Sequence, residues 1–300
     1  MALEQARLLK LLQQSAAGET MTDRDVHFLI DSAPPAEVEY LLECLDPQLA
    51  YSTEELRVRL LAEWGYVAQK HLTHSTRRLY DLGLSASVQT SSGKPGHVIT
   101  KLGLRVREIR SLDPELYADV MHFLHYSSYD GSASSRKLFW SYRTCCEIVW
   151  ARKAVPRTER LVSEVQSRIA DLFPEEYASR LGGNFNAGGV SSGWKPWLAQ
   201  LHPSPFDEEG RSIVPRHSTR FEIALLALNE VYRARGYRQG DPVILDDSLL
   251  DEICGVFFLD PICCRELIDL AARLTRTIRL ADTFAGTSIT LLEPYSIERI

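Results

Sequence analysis

The sequence predicts a mainly α-helical protein with small β-hairpins, arranged as two winged-helix modules around a helical middle region. A pattern that occurs twice supports this prediction. Near residues 53–101 and again near residues 248–292, two amphipathic helices precede two β-rich runs around a turn. Between the copies, apolar residues recur at helical spacing. A winged helix usually binds nucleic acid or protein, so binding is the first hypothesis for this chain.

Predicted helices lead up to the first hairpin. Apolar spacing predicts helices over residues 2–16, 22–30 and 37–45. Ser52 and Glu55 stand in the reciprocal positions of a capping box, which begins a helix over residues 54–64. This helix is expected to turn four apolar side chains inward: Leu56, Val58, Leu60 and Leu61. A further helix runs to Leu82. The strands are predicted over residues 85–90 and 97–102, around a turn at residues 91–96.

The middle region is predicted to be helical and to end in an irregular segment. Its helices are predicted over residues 113–126, 136–153 and 156–173. Residues 182–217 are rich in Gly, Pro, Ser and Asn and lack periodicity, which is unusual inside a compact domain. Trp194 and Trp197 lie in this segment, and disordered linkers are poor in Trp. We therefore expect a strap packed across the core, with a functional loop as the alternative.

The second module repeats the pattern of the first. A helix over residues 219–235 and a short strand over 242–245 precede helices over 249–257 and 262–277. The last helix is expected to turn Leu267, Leu270 and Leu274 inward, and strands over residues 278–281 and 288–292 flank its wing. The predicted organisation is residues 1–112 for the N-terminal helices and first winged helix, 113–181 for the helical middle, 182–218 for the long loop and 219–300 for the second module.

Charge is distributed unevenly along the chain. The net charge is −6, and a uniformly acidic protein would be repelled by DNA. Residues 66–112, however, contain eight Lys and Arg against two Asp and Glu, a local charge of +6. The basic excess thus coincides with the first predicted winged helix and favours nucleic acid as its partner.

The predicted DNA contact lies on the second helix and the hairpin of the first copy. In a winged helix, the second helix enters the major groove and the hairpin reaches the neighbouring backbone. The predicted contact residues are Lys70, His74, Ser75, Arg77, Arg78, Lys94 and Lys101, with Ser91 and Ser92 as further phosphate donors on the wing. The alternative is a solvated basic face on a protein-binding module. In the second copy, Phe284 at an acidic wing tip favours a structural or partner-binding role.

Motifs for catalysis or metal binding are weak. Gly93-Lys94 lacks the glycine and the following Ser or Thr of a phosphate-binding loop. His122 and His125 share one helix face but have no evident third ligand, so packing is the simpler interpretation. The cysteines occur without a CxxC motif and are expected to be small core residues. We therefore predict no enzyme activity, no cofactor and no metal.

Three short motifs resemble a family. They are Val98-Ile99-Thr100-Lys101-Leu102-Gly103, Leu112-Asp113-Pro114-Glu115-Leu116 and Met121-His122-Phe123-Leu124-His125-Tyr126. Their succession resembles an uncharacterised winged-helix family of bacterial phage-defence islands that accompanies DNA phosphorothioation and related modification systems. The resemblance spans about 30 residues. It implies an accessory, DNA-interacting or complex-forming subunit rather than an enzyme, and it assigns no catalytic residues.

These observations predict a non-enzymatic accessory subunit of a bacterial defence or DNA-modification complex. Its partners would be double-stranded DNA and other protein subunits, with a homodimer as one arrangement. The alternative is a scaffold with tandem winged helices, like those that bridge condensin-type ATPases, which would not read DNA directly. Because no run of about 18 apolar residues occurs, we expect a cytoplasmic protein without a membrane segment.

Overall fold

The computed structural model describes residue 28 and residues 33–67, 72–90, 93–131, 137–175 and 187–300. The helices predicted over residues 2–16 and 22–30 fall, apart from Phe28, outside the described residues. The described helices are α1 (Pro35–Cys44), α2 (Thr53–Trp64), α3 (Leu72–Asp81), α4 (Lys101–Leu112), α5 (Pro114–Ser127), α6 (Lys137–Arg152), α7 (Thr158–Leu172), α8 (Ala187–Leu198), α9 (Phe221–Arg235), α10 (Asp247–Phe257) and α11 (Pro261–Leu274). The strands are β1 (Ser85–Gln89), β2 (Pro95–Ile99), β3 (Pro242–Ile244), β4 (Ile278–Thr283) and β5 (Gly286–Leu291). The prediction of a mainly α-helical protein with small β-hairpins is confirmed.

The first unit runs from α1 to β2. Ser52 and Glu55 form the predicted capping box at the start of α2, and Gly65 ends that helix in the left-handed conformation. β1 and β2 pair antiparallel, with Ala86 opposite Val98. Tyr51, between α1 and α2, forms a bridge to His97 through two backbone hydrogen bonds, so a third short extended segment lies beside β2.

The second unit runs from α9 to β5 and repeats this order of elements. β3 lies between α9 and α10, and the strands pair in the order β3-β5-β4. Asp260 accepts hydrogen bonds from the backbone N–H groups of Ile262 and Cys263, and Pro261 occupies the first turn of α11. In both units, helix, extended segment, two helices and a hairpin follow one another, and the last strand lies in the middle of the sheet. The duplication predicted from the sequence is therefore present in the topology.

The helices α5 and α6 form the middle of the molecule. Asp113 caps α5, and every residue from Leu116 to Tyr126 is buried. The aromatic side chains of α6 are in the core, with Phe139 and Tyr142 almost fully buried. One cluster of buried apolar side chains extends from Phe28 to Ile297 through both units and the middle. The predicted boundaries after residues 112, 181 and 218 stay predictions.

Two helices differ from the sequence prediction. Residues 101 and 102 were expected to end a strand, but Thr100 caps α4 by accepting a hydrogen bond from the Gly103 N–H. A Cβ atom at Gly103 would lie 2.1 Å from the Leu84 carbonyl oxygen, so only glycine allows α4 to approach the hairpin this closely. The segment predicted as a long loop contains α8, although Pro196 lies inside it. Trp194 and Trp197 of α8 are buried, which agrees with a strap packed against the core.

Some apolar residues that were expected to face inward are exposed. In α2, Leu56 and Leu60 are buried, whereas Val58 and Leu61 are exposed. In α11, Leu267 is buried, whereas two other leucines, Leu270 and Leu274, are exposed. The prediction for these four exposed side chains was wrong, because an apolar stripe on a helix can be wider than the contact that covers it. Within the described residues, no helix combines the length and the hydropathy needed to cross a membrane.

Candidate nucleic-acid interface

The predicted recognition helix, α3, buries two of the predicted contact residues. Ser75 is fully buried, and its hydroxyl donates a hydrogen bond to the carboxylate of buried Glu37 in α1. The Arg78 side chain is buried too, with its guanidinium carbon 5.8 Å from the ring centre of Phe139 in α6. Side chains buried in this way cannot reach DNA, so the prediction of DNA contact through Ser75 and Arg78 was wrong. Ser75 lies one turn from buried Leu72 and Leu79, on the face that enters the core.

The outer face of α3 keeps two of the predicted residues. His74 is half-buried. Arg77 is half-buried, and its Nε lies 3.5 Å from a carboxylate oxygen of Asp81, one turn later. This face therefore presents one arginine, and that arginine already has a carboxylate neighbour. The face is less positive than the sequence suggested. Lys70 precedes α3 and lies outside the described residues.

The hairpin carries an exposed lysine. Lys94 lies in the turn between β1 and β2, and the Thr90 side chain fixes this turn by bonding to the Lys94 N–H and C=O. Hydrogen bonds from Ser52 lower the pKa of Glu55 at the start of α2, and the charge of Lys94 lowers it further. The turn thus lies close enough to α2 for the two charges to interact. Ser91 and Ser92, the predicted donors in this turn, fall outside the described residues.

Lys101 is exposed in the first turn of α4, directly after β2. Neither Lys94 nor Lys101 forms an ion pair in the described part of the chain, although the charge of Lys94 interacts with that of Glu55. Among the described contact residues, these two lysines therefore have the charge that is most available to a phosphate.

Carboxylates offset most of the remaining basic excess. Arg110 forms ion pairs with Glu39 and Glu43 of α1, and Arg105 pairs with Glu108 within α4. Arg107 donates a hydrogen bond to the Leu45 carbonyl oxygen at 2.9 Å. Arg107 and Arg110 hold α4 against α1 and its C-terminal end. The local excess of positive charge in the sequence consequently overstates the positive charge of the surface.

The second unit also contains exposed arginines. Arg273, Arg276 and Arg279 are exposed at the end of α11 and the start of β4, and in the described residues none has a carboxylate partner. Exposed apolar side chains occur in the same unit: Ile262, in the first turn of α11, is 72% exposed, and Phe284, at the tip of the β4–β5 hairpin, is completely exposed. Phe284 does not fold back onto the core. The exposed side chains of this unit are thus both cationic and apolar.

The histidines and cysteines of the middle region are buried and serve packing. His122 bonds to the Tyr142 hydroxyl at 2.9 Å and to the Val256 carbonyl oxygen at 2.6 Å, and burial lowers its pKa to about 4. Burial also lowers the pKa of His125, which bonds to the Met121 carbonyl oxygen. Packing was the predicted role of both histidines. All six cysteines are buried and free, and burial raises the pKa of Cys146.

Comparison with known protein families finds no match, and comparison with curated proteins finds none either. The fold, by contrast, has been seen before. A solved structure described as "Magnesium ion-bound SspB crystal structure" has a TM-score of 0.56 and 13% sequence identity, with 90% of this chain and 86% of that chain covered. The similarity therefore applies to the arrangement of nearly the whole chain. Among the described residues of this chain, no group of three or more His, Cys, Asp and Glu side chains is placed to hold a metal ion.

Proposed function

We propose that this chain is a non-enzymatic, DNA-binding accessory subunit of a DNA-modification or phage-defence complex, and that its first unit is a winged helix that contacts the DNA backbone. The observation that carries the proposal is the repeated element order, with the last strand of each hairpin in the middle of its sheet. In winged helices this arrangement presents one helix and one hairpin to a shared partner. The sequence resemblance of residues 98–126 to the phage-defence family supports the type of complex.

The proposed contact set is smaller than the one predicted from the sequence. Lys94 and Lys101 are exposed and form no ion pair among the described residues, although the charge of Lys94 also interacts with Glu55. Arg77 and His74 lie on the outer face of α3, and Lys70 stays a prediction. Because the set consists of a few cationic side chains and one histidine, the proposed contact is electrostatic and independent of DNA sequence. Phosphate contacts position a protein on DNA, whereas base contacts specify the sequence.

The test is the binding of a fluorescent DNA duplex at low salt to the wild type and to the double variant Lys94→Ala/Lys101→Ala. We expect the double variant to bind clearly more weakly, because each lysine that contacts a phosphate releases a counterion on binding. Arg168→Ala in α7 is the matched control, because it removes an exposed cation outside both units. Unchanged affinity in the double variant would contradict the proposed contact. If only a third variant, Arg276→Ala/Arg279→Ala, loses DNA affinity, the DNA contact lies in the second unit instead.

A second candidate function is protein docking through the second unit. Four exposed apolar side chains of this unit favour it, because large apolar side chains that remain in solvent are candidates for a partner contact; they are Ile262, Leu270, Leu274 and Phe284. Self-association through this surface would give a homodimer, which light scattering after size-exclusion chromatography detects. If the protein is a monomer and still binds DNA as strongly as the proposal expects, DNA binding does not require a homodimer.

A further inference from the structure

A cavity of about 630 Å³ lies on the middle region, away from the hairpins. Its walls come from the segment that leads into α7, from the end of α8 and from the loop that follows α8. The charged and polar residues of the wall are Arg157, Thr158, Trp194, Lys195, Glu209 and Arg211. This volume is within the range of small-molecule sites in proteins.

The loop that closes the cavity is fixed in place. The Val155 N–H donates to the Arg211 carbonyl oxygen at 2.7 Å, and the Ile213 N–H donates to the Lys153 carbonyl oxygen at 3.1 Å. The Asp207 carboxylate accepts from the Arg211 N–H at 2.7 Å. These bonds join the loop to the segment before α7, so the cavity wall is already formed before any ligand arrives.

Positive charge predominates around the cavity. Arg157 is exposed and has no carboxylate partner in the described residues, whereas Arg211 lies 3.0 Å from its neighbour Glu209. Lys195 donates to the Gly210 carbonyl oxygen at 3.1 Å and lies 5.3 Å from the centre of the Phe206 ring. Gly210 has a positive φ, and a Cβ atom there would lie 2.9 Å from the Lys195 ammonium. Glycine therefore leaves room for the lysine.

The start of α7 adds backbone donors to this surface. Arg157 precedes the helix, and no side chain caps the first N–H groups. Uncapped N–H groups and the helix dipole together favour an anion at this position. The cavity wall includes Arg157, Thr158 and Leu161, so it follows the first turn of the 15-residue helix.

Trp194 packs within the cavity wall. It is 1% exposed, and its indole N–H donates to no acceptor within the described part of the protein. Because the indole nitrogen has almost no accessible surface, it does not face the open cavity, and the groups that face a ligand there are the cations and the first N–H groups of α7.

We propose that this cavity is a binding site for a phosphate-bearing molecule of nucleotide size. Arg157, Lys195 and the first N–H groups of α7 would hold the phosphate oxygens. The site uses none of the residues proposed for the DNA contact. The phosphate comes either from a free nucleotide or from the 5′ end of a nucleic-acid strand, because both offer the same terminal phosphate.

Isothermal titration calorimetry of the full chain tests the proposal. The probes are inorganic phosphate, adenosine monophosphate, adenosine and a short oligonucleotide with either a 5′-phosphate or a 5′-hydroxyl group. We expect saturable binding of the phosphate compounds and none of adenosine. If the 5′-phosphorylated oligonucleotide binds and its 5′-hydroxyl counterpart does not, the phosphate source is a strand end. If only the mononucleotide binds, the source is a free nucleotide.

Two single variants in the cavity wall and a control variant elsewhere on α7 decide whether this cavity is the site. Arg157→Gln and Lys195→Gln should each weaken phosphate binding by about tenfold or more, because each removes a charge-assisted hydrogen bond. Arg168→Gln, on α7 outside the cavity, should leave it unchanged. No saturable binding of any phosphate compound, or equal affinity in the wild type and both cavity variants, would overturn the proposal. DNA affinity of the Lys94/Lys101 variant is a separate measurement, so the two proposals can fail independently.

Discussion

Replacing Asp119 with asparagine should lower the free energy of unfolding by about 3–5 kcal/mol, because it leaves the guanidinium of Arg216 buried without its counter-charge. The two side chains are almost fully buried and form a bidentate pair, with Nη1 and Nη2 of Arg216 at 2.7 and 3.2 Å from the two carboxylate oxygens. Burial raises the pKa of Asp119, whereas Arg216 and Thr219 lower it. Burial is the largest of these effects, so the pKa of Asp119 lies above its ordinary value.

The pair connects parts of the chain that are distant in sequence. Arg216 also donates to the His202 carbonyl oxygen at 2.7 Å and to the Phe257 carbonyl oxygen at 3.3 Å. The Thr219 hydroxyl donates to Asp119 at 2.8 Å. One guanidinium thus joins α5, the strap and the end of α10. Loss of its counter-charge should weaken the contact between the middle region and the second unit.

Urea denaturation of Asp119→Asn measures the effect, with Glu252→Gln as the control. Glu252 forms an ion pair with Arg235 at the surface, and its loss should cost below about 1 kcal/mol. The double replacement Asp119→Leu/Arg216→Met should cost less than the sum of the single replacements, because it leaves no unpaired charge. If Asp119→Asn costs no more than Glu252→Gln, the pair does not hold these elements together and the reasoning is refuted.

Three further changes test the buried polar groups and the second hairpin. Because burial lowers the pKa of His122 to about 4, this histidine stays neutral in the folded protein between about pH 6.5 and pH 4. In the unfolded chain it has its ordinary pKa of 6.5 and is protonated in that pH range. Stability should therefore fall as the pH drops from about 6.5 towards 4, and His122→Gln should make this slope shallower by about 1.4 kcal/mol per pH unit; an unchanged slope in urea titrations at several pH values would contradict the account. Ser75→Ala should cost about 1–3 kcal/mol of stability by removing a donor from buried Glu37, and it should leave DNA affinity unchanged. Phe284→Ser should change the melting temperature little, since the ring touches solvent on all sides; a large drop would show that the ring packs against the chain.

Local signals in the sequence account for the elements that were predicted correctly. Ser52 and Glu55, Asp113 with Pro114, and Asp260 with Pro261 mark helix starts at which a side chain satisfies the first N–H groups. The same kind of signal, Thr100 followed by Gly103, was present at the start of α4 but was assigned to a strand, because the β-rich residues before it continued the pattern. α8 gave no such signal, since its first turns are rich in glycine and serine.

The candidate interface was harder to predict, because it depends on partners that are distant in sequence. Arg110 is neutralised by Glu39 and Glu43, more than 60 residues earlier, and no local pattern reveals that pairing. The burial of Arg78 depends on Phe139 of α6 in the same way. The burial of Ser75 could have been predicted, because helical spacing places it on the same side as Leu72 and Leu79.

The central claim is that Lys94 and Lys101 of the first unit bind DNA phosphates, and the salt dependence of DNA affinity tests it most directly. Fluorescence anisotropy of a DNA duplex between about 50 and 200 mM salt gives the slope of log K against log salt concentration. The account predicts that Lys94→Ala/Lys101→Ala flattens this slope by about two units relative to the wild type, at about 0.9 per lost phosphate contact. The same slope in both proteins, or no DNA binding by the wild type at low salt, would contradict it.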